Sequence, residues 1–112
     1  RTKGLPWDMA KGFDASAQVG ALTPAAQFGM PDAQSIWLKV NGRERQRSTL
    51  DQLIWPVPEV IAALSRLVTL QAGDLIFTGT PEGVSALVPG DEVSAGIDNL
   101  EPLEFRIGPG PA

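Results

Sequence analysis

The sequence has 112 residues, 43% of them hydrophobic, which is enough for one domain with a modest core and too little for two. Nine Lys and Arg against thirteen Asp and Glu give a net charge of −4, so a nucleic acid partner has little electrostatic support. Cysteine, histidine and tyrosine are absent, which excludes disulfides, thiolate nucleophiles and every catalytic or metal-binding use of histidine by this chain.

The sequence also lacks the signals of a membrane protein. No apolar run approaches the roughly 18 to 20 residues needed to cross a bilayer, and the opening RTKGLPWD has no apolar signal-peptide core. We therefore expect a soluble cytoplasmic protein without membrane contact. Its chemistry has to rely on Lys, Arg, acidic, hydroxyl or backbone groups, alone or with a hard, oxygen-binding metal ion.

The first predicted element is a β-hairpin. Residues 1–34 contain too many glycines and prolines for a long helix. The segment IWLKV then alternates, and Asn41-Gly42 follows it, which is a strong hairpin signal because both residues tolerate positive φ. The pattern predicts a hairpin over residues 36–48 whose returning strand, residues 43–47, is polar and exposed.

Helical signals follow the hairpin. Ser48 or Thr49 can cap a helix, with Asp51 or Gln52 near its first turn. The segment EVIAALSRL, residues 59–67, comes after two prolines and has the spacing of an amphipathic helix that covers a sheet. Its predicted apolar face consists of Val60, Ala63, Leu64 and Leu67.

The C-terminal third contains an internal echo. LQAGDLIFTG, residues 70–79, and LVPGDEVSAG, residues 87–96, share the pattern Leu-x-x-Gly-Asp-x-apolar-x-x-Gly. Each copy predicts a Gly-Asp turn that feeds a strand, and a last strand is expected from Leu103 to Ile107. The two copies indicate similar β-corners in one sheet system, since two are too few for a solenoid.

Two segments contain candidate functional residues. Thr78, Thr80 and the N–H groups around Gly79 could converge on a carboxylate or carbonyl oxygen, or they could form a tight turn that satisfies only local backbone groups. Lys11 lies between Trp7 and Phe13 in the sequence. Partial desolvation would lower its pKa and favour pairing with an anionic substrate or enolate, whereas the alternative is an ordinary solvated lysine.

The acidic residues do not predict a metal site. Those best placed in turns are Asp8, Asp14, Asp74, Glu82, Asp91 and Glu92. None of them forms the compact E-x-E or D-x-D-x-D group that would cage a divalent cation. Asp74 and Asp91 occupy equivalent places in the echo, where turn capping explains them.

Four blocks resemble, in order and with compatible spacing, the C-terminal half of the fumarylacetoacetate hydrolase family, its acylpyruvase-type members in particular. The blocks are LPWDMAKGFDASA, IWLKVNGRERQRST, LQAGDLIFTGTPEGV and LVPGDEVSAGIDNL. The resemblance implies a mainly β fold with short helices (α+β), of the family's mixed β-sheet and β-roll type and incomplete at the N-terminal side. It also implies that residues 1–112 are the C-terminal part of a single catalytic domain, usually assembled as a homodimer.

The same resemblance implies an Mg²⁺- or Mn²⁺-dependent hydrolase that cleaves a carbon–carbon bond in small 2,4-dioxo acids. In such enzymes the metal acts as a Lewis acid on the 2-oxo-acid end, water attacks the distant carbonyl and an enolate leaves. Lys11 matches the family lysine that neutralises this charge. Thr80 matches the substrate-binding threonine of the family's T-G-T-P turn, with Gly79 beside it. Oxaloacetate decarboxylation and hydroxymuconate-type isomerisation are the related activities left open.

The sequence departs from the family pattern in two places. The family's metal ligands, an E-x-E pair and an Asp, are expected upstream of Arg1 together with the lid helix that bears a water-activating His/Glu pair, so no metal ligand is assigned in this chain. The chain would then be part of a longer enzyme, a split subunit or a non-catalytic β-rich module. Ala15 stands where many relatives have a threonine, so no hydroxyl contact is assigned to that loop.

Overall fold

The computed structural model of the chain describes residues 16–109. Within them, four antiparallel strands form one sheet in the order β2-β1-β3-β4. In chain order the elements are helix α1 (Ala25–Phe28), strands β1 (Ser35–Val40) and β2 (Arg43–Thr49), a 3₁₀ helix (Leu50–Gln52), helix α2 (Val57–Leu67), and strands β3 (Glu92–Ile97) and β4 (Leu103–Arg106). None of the helices in this part of the chain is both long and apolar enough to span a bilayer.

The predicted hairpin is confirmed. Asn41 and Gly42 form its turn with φ values of 52° and 79°, which match the twist of the flanking strands. The Asn41 side chain also joins this turn to β3. Its Nδ2 donates to Oδ1 of Asp91 (2.9 Å), and its Oδ1 accepts from the backbone N–H of Glu92 (2.9 Å). These bonds hold β1 in register between β2 and β3.

A β-bulge in β2 interrupts the regular pairing of the hairpin. Leu38 is paired with Gln46. The next pair is Lys39 with Glu44, so Arg45 is the extra residue on the β2 side. Directly opposed residues share one face of an antiparallel sheet, so Gln46 lies on the face of Leu38. The prediction of an exposed returning strand is therefore wrong at Gln46, which is only 8% exposed.

The apolar face of the sheet is built from alternate residues of three strands. They are Ile36, Leu38 and Val40 of β1, Val93, Ala95 and Ile97 of β3, and Leu103 and Phe105 of β4. Val40 and Val93 lie opposite each other and are each 2% exposed. This pair is the best-buried apolar contact among the residues that the structure describes.

The opposite face carries Trp37, which lies against Gly96 of β3. The two residues are paired directly, and a Cβ built on Gly96 would stand 2.5 Å from Cζ2 of the indole. The ammonium of Lys39 lies 5.3 Å from the centroid of the same ring, within the range of a cation–π contact. The absence of a side chain at position 96 is what allows the indole to pack against the strand.

Helix α2 begins at Val57, two residues before the predicted segment, and ends at Leu67 as predicted. Pro56 is its N-cap residue, and Pro58 lies in its first turn. Proline is tolerated there because the first N–H groups of a helix have no intrahelical partner. The prolines therefore start this helix and do not interrupt it.

The predicted apolar face of α2 is only partly correct. Val60, Ala63 and Leu64 are partly buried, but Leu67 is 81% exposed and lies outside the protected face. Val60 lines the same cavity as Ile36 and Ser48 of the sheet, while the densest packing between elements in residues 16–109 is between neighbouring strands. The covering of the sheet by this helix therefore stays a prediction.

The capped helix predicted after Ser48 or Thr49 is a single 3₁₀ turn. Thr49 occupies the N-cap position, but its hydroxyl bonds the carboxylate of Asp51 and not a backbone N–H. Leu53 ends the turn in an extended conformation. The chain thus leaves β2 through a short turn before α2 begins.

The internal echo is confirmed at its two turns. The N–H of Asp74 donates to the carbonyl oxygen of Gln71 (3.1 Å), and its Oδ2 accepts from the N–H of Gln71 (2.8 Å). Asp91 and Val88 form the same two bonds, at 3.1 and 3.0 Å. The glycine before each aspartate has a φ of 95° or 93°. Equal sequence spacing has produced equal local geometry.

Only the second turn feeds a strand in the described residues. Residues 75–80 pair with no strand there, and Phe77 is 72% exposed. The strand predicted for the first copy is therefore wrong in this part of the chain, since a strand forms only where a neighbour accepts and donates its backbone bonds. β4 ends at Arg106, one residue before predicted, although the N–H of Ile107 still donates to the carbonyl oxygen of Asp91 (2.9 Å).

Candidate functional site

The turn that contains Gly79 and Thr80 continues into a segment that lies against the bulged strand β2. A Cβ built on Gly83 would stand 2.4 Å from the carbonyl oxygen of Arg45, so only glycine permits this approach. The guanidinium of Arg45 also donates to the hydroxyl of Ser85. Backbone packing and a side-chain bond therefore both fix the segment beside the bulge.

A buried amide from β2 holds Thr80. Nε2 of Gln46 donates to Oγ1 of Thr80 (2.8 Å) and to the carbonyl oxygen of Pro81 (2.7 Å). Both distances are those of good hydrogen bonds, and the amide has one N–H for each acceptor. Sequence reasoning assigned no role to Gln46, because the polar strand RERQRS contains no apolar residue that would show which side chains face inward.

Thr80 and Pro81 stand between two cavities. The first, of about 250 Å³, extends over the apolar face of the sheet. The second, of about 430 Å³, lies toward the 3₁₀ helix and α2 and is lined by Thr78 and Gly79 as well. Gly79 and Thr80, the two predicted site residues that the structure describes, thus line one cavity together. The first cavity is almost wholly apolar, and the second combines apolar side chains with the hydroxyl groups of Ser48, Thr49, Thr78 and Thr80.

The remaining predicted site residue, Lys11, lies outside the described residues, so its position relative to Thr80 stays a prediction. Asp8, Asp14 and Ala15 lie in the same undescribed segment. Across residues 16–109, no three His, Cys, Asp or Glu side chains gather into a group that could hold a metal ion. These residues therefore provide a candidate substrate contact without a candidate metal site.

Asp91 is a buried carboxylate that joins two turns. Its Oδ2 accepts from the N–H of Val88 and its Oδ1 from the side chain of Asn41. These two bonds, Val88 first, and the charge of Arg45 hold the pKa of Asp91 below its ordinary value, against the opposing effect of burial. The structure therefore supports the turn-capping role predicted for this residue.

Known proteins are similar to this chain over nearly all of its length. Residues 1–108 match the family model described as fumarylacetoacetate (FAA) hydrolase C-terminal. A mitochondrial oxaloacetate tautomerase from Rattus norvegicus is 43% identical over 107 residues, which are 96% of this chain and 48% of that protein. A fumarylpyruvate hydrolase from Ralstonia sp. is 41% identical over 109 residues, 97% of this chain and 56% of that protein. The chain spans about half the length of the curated relatives it matches.

A solved structure gives the same result for the fold. The crystal structure of fumarylpyruvate hydrolase from Pseudomonas aeruginosa in complex with Mn²⁺ and pyruvate is 48% identical to this chain and superposes with a TM-score of 0.89. The superposition covers 96% of this chain and 46% of that one. The predicted fold class, mainly β with short helices and incomplete relative to its relatives, is confirmed.

Proposed function

The chain belongs to the fumarylacetoacetate hydrolase family, and from that membership we propose that residues 1–112 form the C-terminal part of a single catalytic domain. The complete protein would be a divalent-metal-dependent hydrolase that cleaves a carbon–carbon bond in small 2,4-dioxo acids. Identities of 41% and 48% to two fumarylpyruvate hydrolases support this reaction class.

The placement of Thr80 is the observation that carries this proposal. Its turn is held over the sheet by Gln46, with the hydroxyl at the border of two cavities. A hydroxyl that accepts from an amide keeps its own proton for a carboxylate or keto oxygen. Gly79, with a φ of 101°, supplies the left-handed backbone that the turn requires. We assign substrate binding to Thr80 and Gly79.

Lys11 is the residue to which we assign charge stabilisation. Breaking the carbon–carbon bond of a dioxo acid leaves negative charge on an enolate oxygen, and a fixed ammonium beside that oxygen lowers the barrier. Trp7 and Phe13 flank Lys11 in the sequence at close spacing. Aromatic neighbours would limit the water around the ammonium and so strengthen its effect on the substrate.

The proposed cofactor is Mg²⁺ or Mn²⁺. The relative from Pseudomonas aeruginosa is in complex with Mn²⁺ and pyruvate. Residues 16–109 gather no group of three acidic side chains and do not fit such an ion by themselves. We place its ligands among acidic residues in the part of the complete protein that this chain does not span. When bound, the ion would polarise the carbonyl of the oxo acid as a Lewis acid.

We further propose a homodimeric cytoplasmic enzyme that acts in the breakdown of aromatic compounds. Its partner would be a small anionic oxo acid and not a nucleic acid, in keeping with a chain of net charge −4. The exposed Leu75 and Phe77, which follow the first echo turn without a strand partner in residues 16–109, support the existence of further protein contacts.

A second candidate is interconversion of the keto and enol forms of oxaloacetate. The 43% identity to a mitochondrial oxaloacetate tautomerase favours it. This reaction would use the same ammonium and hydroxyl toward an enolate and a carboxylate, but it breaks a carbon–hydrogen bond. Decarboxylation of oxaloacetate, hydroxymuconate-type isomerisation and a non-catalytic β-rich module are the further alternatives.

The decisive experiment is metal-dependent turnover by the intact natural protein. Acetylpyruvate, fumarylpyruvate and enol oxaloacetate would each be incubated with protein and Mg²⁺ or Mn²⁺, with an EDTA-treated sample as control. Pyruvate release from either dioxo acid would support the hydrolase. Accelerated loss of the enol absorbance without pyruvate would support the tautomerase. No metal-dependent change with any of these substrates would overturn both and leave hydroxymuconate-type isomerisation or a non-catalytic module.

A further inference from the structure

We propose that Gln46 is a positioning residue that orients the hydroxyl of Thr80 so that its proton faces the substrate. This role depends on the function proposed above, in which Thr80 contacts the substrate. Gln46 itself would donate to no reacting atom, since both of its N–H groups are used within the protein. Its effect on the reaction would pass through Thr80 alone.

Pro81 fixes the direction of the amide. A glutamine side chain has a donating and an accepting end, and either end could bond a hydroxyl. The carbonyl oxygen of Pro81 can only accept, so the group 2.7 Å from it has to be the donating NH₂. The same nitrogen lies 2.8 Å from Oγ1 of Thr80. Thr80 is therefore the acceptor in this bond, and its proton is free for a different oxygen.

The bulge is what makes this contact possible. Because Arg45 is the extra residue of the bulge, Gln46 lies opposite Leu38 on the apolar face. The TGTP turn, residues 78–81, passes over the same face. Gln46 is almost fully buried, so an amide that lost its acceptors could not easily turn to water instead. Burial thus keeps the amide in the one orientation that satisfies both acceptors.

This arrangement selects the chemistry of the bound group. A hydroxyl whose remaining hydrogen is a donor prefers an acceptor-only oxygen, such as a carboxylate or the carbonyl of an oxo acid. An N–H group at the same place could not accept the Thr80 proton, and a neutral hydroxyl would accept it more weakly than a carboxylate does. The Gln46–Thr80 pair would therefore favour a carboxylate or carbonyl oxygen over an N–H group at this contact.

The test compares Gln46→Glu with Gln46→Met in the intact protein. An ionised glutamate only accepts, so it would take the Thr80 proton and lose the Pro81 bond. We expect KM for the oxo acid to rise by about tenfold or more, with a smaller change in kcat, as loss of a hydrogen bond to a charged group does. Gln46→Met removes both donors at similar size without adding charge. Gln27→Glu, on the exposed helix α1, adds the same charge elsewhere and should leave KM unchanged.

A double-mutant cycle with Thr80→Val separates positioning from simple support of the fold. If Gln46 acts through the Thr80 hydroxyl, adding either Gln46 substitution to Thr80→Val should change KM no further. Additive effects, or an unchanged KM in Gln46→Glu, would overturn the positioning role. If Gln46→Glu does not fold, the Gln46→Met arm of the cycle still distinguishes additive from non-additive behaviour.

Failure of the underlying function has a different signature. If the unsubstituted protein turns over no oxo acid with Mg²⁺ or Mn²⁺, the proposed function is overturned and the substrate role of Gln46 falls with it. If the enzyme is active but the effects of the Gln46 and Thr80 substitutions on KM are additive, only the positioning role is overturned and the proposed function stands. The side-chain amide signals of Gln46 in an NMR spectrum report the contact itself, and their exchange with water should become faster in Thr80→Val.

Discussion

The indole of Trp37 packs against Gly96 of the neighbouring strand so closely that a Cβ at position 96 would stand 2.5 Å from one ring carbon and 2.8 Å from another. Direct pairing of the two residues across β1 and β3 leaves no room for relaxation without moving the ring. The contact therefore joins β1, the first strand of the hairpin, to β3, the strand that follows the turn at Asp91.

We expect Gly96→Ala to destabilise the protein by about 1 to 3 kcal/mol, the usual cost of overpacking. The measurement is the free energy of unfolding from urea denaturation of the intact protein. Gly108→Ala is the matched control, because a Cβ there meets nothing within 4 Å. Equal stability of the two variants would show that the indole moves aside freely.

Gly83→Ala should both destabilise the protein and weaken oxo-acid binding. The new Cβ would collide with the carbonyl oxygen of Arg45 and push the TGTP segment away from β2. Gly73→Ala is its control, since Gly73 has a similar positive φ, 95° against 104°, but open space around it. The backbone strain common to both, about 1 to 2 kcal/mol, cancels in the comparison. A KM for Gly83→Ala no higher than that of Gly73→Ala would argue against the collision.

Asp91 should make the stability of the protein depend on pH at the acidic end. Its folded pKa is lowered, first by the Val88 N–H bond and then by Asn41. The pKa in the unfolded chain is about 3.9, so the stabilisation is fully present above that pH and is lost as the pH falls through the lowered folded pKa. Asp91→Asn should remove this part of the pH dependence in denaturation curves between neutral and strongly acidic pH.

The control for Asp91 is its counterpart in the first echo turn. Asp74→Asn alters an exposed aspartate that accepts the equivalent bond from the N–H of Gln71. Asp91 bonds the Asn41 side chain as well, so Asp91→Asn should be the more destabilising change. Equal losses in the two variants would mean that the link between the hairpin turn and the second echo turn contributes nothing.

Thr80→Ala should raise KM for the oxo acid by about tenfold, because it removes one hydrogen bond to a charged group. Thr80→Ser keeps the hydroxyl and should remain near the unsubstituted value. Thr78→Ala tests the other threonine of the same turn and isolates the contribution of position 80. Steady-state kinetics with Mg²⁺ measures all three variants. A KM for Thr80→Ala equal to that of the unsubstituted protein would contradict the proposed contact.

Lys11→Met should leave folding nearly intact, since methionine keeps most of the aliphatic stem. Turnover should fall by about 10² or more, as loss of a charge stabiliser in a catalytic site does. Lys39→Met is the control for net charge. It removes the same charge from the face of the sheet that carries Trp37, and Gln46 lies on the opposite face. An unchanged kcat in Lys11→Met would identify Lys11 as an ordinary surface residue.

Short-range signals in the sequence were sufficient for the turns. Asn41-Gly42 predicted the hairpin because few other residues adopt two consecutive positive φ values. The Gly-Asp spacing predicted two turns that prove to have the same hydrogen bonds. Thr80 was singled out from its place in a glycine turn and from the family resemblance. The turn signals depend on residues within a few positions of one another, whereas the family resemblance draws on four blocks along the chain.

Only the tertiary structure decided which side chain of β2 reaches Thr80. A regular two-residue hairpin would place Arg45 opposite Leu38 and Gln46 opposite Trp37, on the polar face. The bulge moves Gln46 to the apolar face, beneath the TGTP turn. Neighbouring strands also decided that residues 92–97 form a paired strand, while residues 75–80 pair with no strand in the part of the chain that the structure describes. Register and strand pairing are settled between distant segments, so a local pattern does not specify them.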